Sequence, residues 1–186
     1  MRKSWTYPLG LVALGLAAVP CPAQAAPAGV ITSDTTLKFG QKGVLNLDGF
    51  DKNFKTRRSP VAVRVLKIEK GKAADLKGQG LPVSTTGMVP YYIRSELSYA
   101  GADFQGSAPP FGGAFSDGSD ATSLITTRDL GPCAYTSTIR VTKKQRSGLN
   151  CTAVLAPPKV PVVGAYFFYS VDKHRSIKMA WTKSGT

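Results

Sequence analysis

Histidine occurs once, as His174, and cysteine only three times. A zinc site draws on about four side-chain ligands, so this supply excludes a Cys/His metal centre of the usual kind. His174 sits in "VDKHRS" between Lys173 and Arg175. Nothing beside it marks a nucleophile, so it reads as part of a polar turn and not as a general base. "SVDK" (Ser170–Lys173) and "KSG" (Lys183–Gly185) match S-x-x-K and resemble K-T-G only formally. The first of those motifs opens a helix in a larger domain, and here the two lie too close together. Helical periodicity is scarce as well, and no cofactor is expected. Long apolar runs are absent: Leu9–Val19 is the longest and falls short of a bilayer span.

That short run belongs to a different pattern. Arg2 and Lys3 precede it, and Ala23-Gln24-Ala25 follows it. Positive n-region, apolar h-region and small-residue cleavage site make a secretory signal peptide, residues 1–25, cleaved after about Ala25. Lipid anchoring through Cys21 is the alternative, but Pro20 stands where a lipidation signal places a small residue. Cleavage leaves 161 residues, enough for one domain with a sizeable core and without a transmembrane segment. It also leaves two cysteines, Cys133 and Cys151, which in an exported protein read as one disulfide. Closing that loop stabilises the fold by roughly 3 kcal/mol on chain-entropy grounds.

Acidic residues are the next shortage. The whole chain carries 24 basic and 11 acidic residues, +13, and loss of Arg2 and Lys3 lowers this to +11. Outside a cell such a surplus suits anionic envelope polymers, acidic headgroups or plain solubility. The cations are spread, and "KKQR" with Lys143, Lys144 and Arg146 has no interleaved aromatic to stack a base. Nucleic acid is therefore not expected, and these three residues form a candidate basic binding patch.

What the chain does have is a succession of short apolar runs divided by Gly, Pro, Asn, Asp and Ser. This rhythm predicts an all-β chain, an immunoglobulin-like β-sandwich of about seven to nine antiparallel strands over residues 35–186. Residues 26–34 read as a flexible N-terminal lead. In "PVAVRVLKIEK" the alternation of Val61, Val63 and Val65 slips at Leu66 and resumes with Ile68, the signature of a β-bulge. In "PYYIRSELSYAG" Tyr91, Ile93, Leu97 and Tyr99 share one face and Ser95 interrupts them. "SIKMAWTK" turns Ile177, Met179 and Trp181 one way. "GKAADLKG" reads as a loop or 3₁₀ piece between Gly71 and Gly78.

Three further segments are tested for chemistry. Residues 95–127 hold four acids and no Lys or Arg. Glu96, Asp103, Asp117, Asp120 and Asp129 are the carboxylates that could pair for hydrolysis. Asp117 and Asp120 are weak calcium candidates, because "DGSD" lacks the spacing of a calcium loop. A long solvated connection is the plainer reading. "AYFFYS" is aromatic on both faces, so Tyr166 and Phe168 are either covered or form an aromatic surface. Asn150-Cys151-Thr152 is a formal glycosylation sequon.

"LKFGQKG" (Leu37–Gly43), "VRVLKIEKGKAADLKG" (Val63–Gly78), "PYYIR" (Pro90–Arg94) and the late cysteine pair resemble a family of small exported actinobacterial proteins of unknown function. The similarity spans most of the chain after the signal segment. More distantly it extends to telokin-like, immunoglobulin-like secreted domains. The resemblance implies export and a sandwich fold, and supplies no catalytic residues.

The expectation is a secreted, non-catalytic binding or structural protein of the cell envelope or extracellular space. Its partners would be anionic envelope polymers or another secreted protein. The alternatives are a small hydrolase using the acidic loop and a calcium-stabilised adhesin-like domain.

Overall fold

Two hydrogen-bonded sheets face each other across a layer of apolar side chains. The computed structural model describes residues 29–51, 53–81, 85–124 and 128–183. Residues 1–25, read from the sequence as a signal peptide, lie outside these. Within the described residues there are eleven strands: β1 Thr35–Lys38, β2 Gly43–Phe50, β3 Thr56–Lys70, β4 Val89–Tyr99, β5 Phe104–Ser107, β6 Gly112–Ala114, β7 Thr122–Leu124, β8 Thr138–Val141, β9 Ser147–Ala156, β10 Gly164–Ser170 and β11 Ser176–Thr182. One sheet runs β1-β11-β10-β6 and the other β2-β3-β4-β9-β7, with β5-β8 as a separate ribbon. A 3₁₀ turn, Ala73–Leu76, fills the "GKAADLKG" segment as expected.

Period-two alternation builds the core. Val61, Val63 and Val65 of β3 and Ile93 and Leu97 of β4 point inward. Across the gap they meet Phe167 and Tyr169 of β10 and Ile177, Met179 and Trp181 of β11. Trp181 stacks on Phe167 at 6.2 Å between ring centroids, and Phe111 meets both rings edge-on at 5.2 and 5.8 Å. The Trp181 indole N–H donates to Gln41 O at 3.1 Å, so the ring is buried without leaving its donor unpaired.

Three departures from the sequence reading follow from long-range pairing. First, β1 runs parallel to β11, so the sheet is not wholly antiparallel. The turn after β1 carries the chain to the opposite sheet, where the Gly40 N–H donates to Val65 O. Gly40 has φ +85°, a conformation that favours glycine. Second, there are eleven strands where seven to nine were expected, and one of them, β5, forms inside the acidic, glycine-rich stretch read as a solvated connection. Its Phe104 is buried in the main core, and its partner β8 lies more than thirty residues away. Third, the lead expected at 26–34 is tied down from Ile31 onward. The Ile31 N–H donates to Val44 O at 2.9 Å, and the Asp34 carboxylate accepts from the Lys178 N–H at 2.9 Å.

A groove walled by the disulfide loop

The bulge expected at Leu66 is present: Val65 pairs with Ser95, but Lys67 pairs with Arg94. One extra residue on β3 brings Leu66 and Lys67 side by side onto a groove on the outer face of the five-stranded sheet. Across the strands, Arg94 lies opposite Cys151, Tyr92 opposite Ala153, and Glu96 opposite Leu149. This face therefore carries both charge and exposed apolar surface, and Leu149 is 69% exposed.

A second, smaller core covers part of it. Tyr92, Leu130, Cys133 and Ala153 are buried together, with Leu76, Leu124 and Cys151 packed around them. The Cys133–Cys151 disulfide, with Cα atoms 5.4 Å apart, ties the loop carrying Leu130–Cys133 onto β9. That loop is closed by reciprocal backbone bonds between Leu130 and Cys133, 2.9 Å each. Gly131, at φ +54°, passes so close to the Tyr92 hydroxyl and Asp75 that a Cβ there would overlap the hydroxyl. The Tyr92 hydroxyl donates to Asp75 Oδ2 at 2.8 Å, and the Lys72 N–H donates to the same oxygen at 3.0 Å. Those two bonds hold the Asp75 carboxyl below its ordinary range, the Lys72 N–H contributing most. Burial first, and Asp75 second, push the Tyr92 phenol well above its ordinary value.

Between the small core and the bulge lies an open groove of about 800 Å³. Its floor is a charge triad. Lys67 Nζ reaches Glu69 Oε1 at 2.7 Å, and Arg94 Nε donates to Glu69 Oε2 at 3.2 Å. Arg94 Nη2 donates to Pro132 O at 2.7 Å, which fastens the disulfide loop to the sheet a second time. Lys67 first, then Arg94, hold the Glu69 carboxyl below its ordinary value. Pro132, Ala134 and Cys151 form one wall, and Leu66 and Leu149 line the groove as well. The groove's volume lies within the range of small-molecule sites.

The residues singled out from the sequence as sites lie elsewhere, apart from the disulfide and the sequon's Asn150. Lys143, Lys144 and Arg146 are exposed around the turn between β8 and β9, where the Lys143 N–H donates to Asp103 at 3.1 Å. The bridge joins β9 further along, at Cys151, so the staple shapes the groove and not this basic tip. Tyr166 and Phe168 do share the outer face of the other sheet, edge-to-face at 5.6 Å, with Lys178 Nζ 4.2 Å over the Tyr166 ring. Tyr166 is buried against Gly112, while Phe168 is 64% exposed. Burial, and secondarily Asp120, pushes the Tyr166 phenol up to about 12.

The carboxylates of the acidic stretch are each held in their own setting. Glu96 accepts from Arg64 Nε at 2.7 Å, Asp129 from the Tyr135 N–H at 2.7 Å, and Asp117 from Ser119 Oγ and N–H at 2.6 and 2.9 Å. The Ser119 hydroxyl, then its N–H, lower the Asp117 value. No group of three or more His, Cys, Asp or Glu converges among the described residues. His174 lies in an exposed turn, its N–H bonded to Asp172 at 2.8 Å. Asn150 is buried, donating from Nδ2 to Pro109 O at 3.0 Å, so the sequon's side chain is committed to packing.

No family model matches the chain, and no curated protein matches it. Among solved structures, a secreted protein from Mycobacterium tuberculosis, MPT63, is similar with a TM-score of 0.47 and 12% identity, over 82% of this chain and 99% of that one. The sandwich described above rests on this chain's own strand pairing.

Proposed function

We propose that this is an exported, non-catalytic binding protein of the cell envelope or extracellular space, and that the groove beside the disulfide is its binding surface. The observation that carries the reading is the groove itself. Charged donors and an exposed leucine converge there on a rigid sheet, behind a loop fixed by a covalent bridge. Sites built on paired strands hold their geometry better than sites on loops.

The signal pattern at residues 1–25 supports export, with lipid anchoring at Cys21 as the variant in which the protein stays attached. No helix among the described residues is long and apolar enough to cross a membrane. Residues 35–186 would then act as one binding domain, and the resemblance to small exported actinobacterial proteins fits that role. Anionic envelope components are the favoured partners on charge, with another secreted protein second. A hydrolase is less well supported, because the acidic side chains that would have to cooperate are engaged separately, Glu96 with Arg64 on the sheet and Asp117 and Asp129 in their own loops.

Binding to envelope fractions at low and high salt tests the proposal. Retention at high salt that Arg94→Gln abolishes is the expected result. Retention lost with salt and indifferent to Arg94 would mean charge alone, without a site.

A further inference from the structure

We infer that the groove takes a small amphiphile with one negative charge at its head, a fatty-acyl carboxylate. Its head meets Lys67 and Arg94, and its chain runs along Leu66 and Leu149. This rests on the groove being the binding surface and adds the chemistry of its occupant.

Charge stoichiometry sets the head group. Lys67 and Arg94 share one carboxylate, Glu69, each taking one of its oxygens. Lys72 and Asp75, which also line the groove, balance each other in charge, so these two cations against one anion leave a surplus of a single positive charge. Donors are in greater surplus. An ammonium has three N–H groups and a guanidinium five, and the bonds described above use one and two of them. Unused donors with one net positive charge suit a monovalent oxyanion, which the guanidinium can grip on two N–H groups. A polyanionic polymer would find more at the dispersed surface lysines than here. Lys70, the next cation along β3, turns its ammonium to Pro158 O at 2.8 Å.

Strand pairing keeps an added peptide strand off β4. Beside the groove β4 is hydrogen-bonded to β3 on one side and β9 on the other. An extended peptide therefore cannot add its backbone to β4, the strand that carries Arg94. Recognition at Arg94 must come from side chains, and beside the charge triad the groove offers the apolar Leu66 and Leu149. Leu149 is the most exposed of the large aliphatic side chains among the described residues. Leu66 reaches the same groove because of the bulge. An acyl chain laid over them would remove apolar surface from water on both partners.

Calorimetric titration of the purified protein with decanoate tests this. Butyrate tests the head alone, and decan-1-ol the chain alone. Saturable one-to-one binding of decanoate is expected, with butyrate and decanol at least about tenfold weaker. Arg94→Gln and Leu149→Ser should each weaken decanoate by about tenfold, and Lys67→Gln by less. Lys143→Gln/Lys144→Gln should leave it unchanged. Thermal melts confirm that each variant is folded, and Leu149, being exposed, keeps the test valid should Arg94→Gln unfold.

Decanoate binding indifferent to Arg94→Gln and Leu149→Ser would overturn the inference. So would decyl phosphate binding about tenfold more tightly than decanoate, or a concentration-dependent dimer in sedimentation that Leu149→Ser abolishes. If decanoate fails while Arg94-dependent envelope binding persists, the occupant is wrong and the groove stands. If both fail, the groove is not the binding surface.

Discussion

The two faces of the five-stranded sheet are built by different means. The inner face is covered by a broad, redundant set of aliphatic and aromatic side chains, in which each residue is one of many. The outer face is covered by four buried residues, one disulfide and a handful of hydrogen bonds that meet at Tyr92, Asp75 and Arg94. Apolar burial is additive and tolerant, so it carries the fold. Polar contacts are directional and few, so they set the shape of one place. The groove sits on the second kind of face.

This contrast orders the effects expected from mutation. Trp181→Ala should be the most damaging, at about 4 kcal/mol, because it empties a fully buried ring stacked on Phe167. Denaturant unfolding measures it, and a loss under 1 kcal/mol would show that the inner core is not what holds the sheets together. Cys133→Ser comes next, at roughly 3 kcal/mol, since the bridge closes a loop across a sequence separation of 18. Here the contrast predicts a second consequence, loss of the groove wall. Envelope binding should therefore weaken in this variant even at temperatures where it stays folded.

Smaller effects probe the outer face alone. Gly131→Ala should cost more than about 1 kcal/mol, because φ +54° and the Tyr92 hydroxyl both oppose a Cβ. A variant as stable as the parent in thermal melts would mean that the loop moves freely off Tyr92. Tyr92→Phe should cost about 1 kcal/mol at neutral pH through the lost bond to Asp75. Its pH dependence has a definite sign. Asp75 is held below its usual value of 3.8 when folded, so its contribution is present above that pH and is lost as acid protonates it. Glu69, below 4.5 when folded, behaves the same way. The gap between Tyr92→Phe and the parent should therefore narrow in melts taken as pH falls below about 4. A gap that widened in acid would contradict the placement of that hydrogen bond.

Much of the inner face could be read directly from the chain. The alternation in β4 and β11, the inward Trp181 and the bulge at Leu66 are local patterns, fixed by the two-residue period of a strand. The cysteine pair was legible too, since the chain holds only three thiols to choose from. The outer face was not. Which side of the sheet the bridge pulls its loop onto depends on pairing between segments far apart in sequence. The same holds for β5, whose glycine-rich stretch carries little apolar signal. A Cβ at Gly49 of β2 would come within 2.6 Å of Gln105 O, a close backbone approach that composition does not announce. Arg58 is similar: it donates to the carbonyls of Ser170 and Val171 across the sandwich and looks like an ordinary surface cation in the sequence. Arg94 and Glu69 stood in strands that were recognised, but the triad they make with Lys67 needed the bulge, the register and the loop together.

Amide chemical-shift mapping tests the binding claim most directly. The labelled protein is titrated with decanoate and then with solubilised envelope material. The account predicts that the shifts gather at Leu66–Lys72, Tyr92–Ser95 and Leu149–Cys151, and weaken together in Arg94→Gln. Shifts centred on Phe168 and Lys178, or on the Lys143–Arg146 turn, with the groove unmoved, would contradict it.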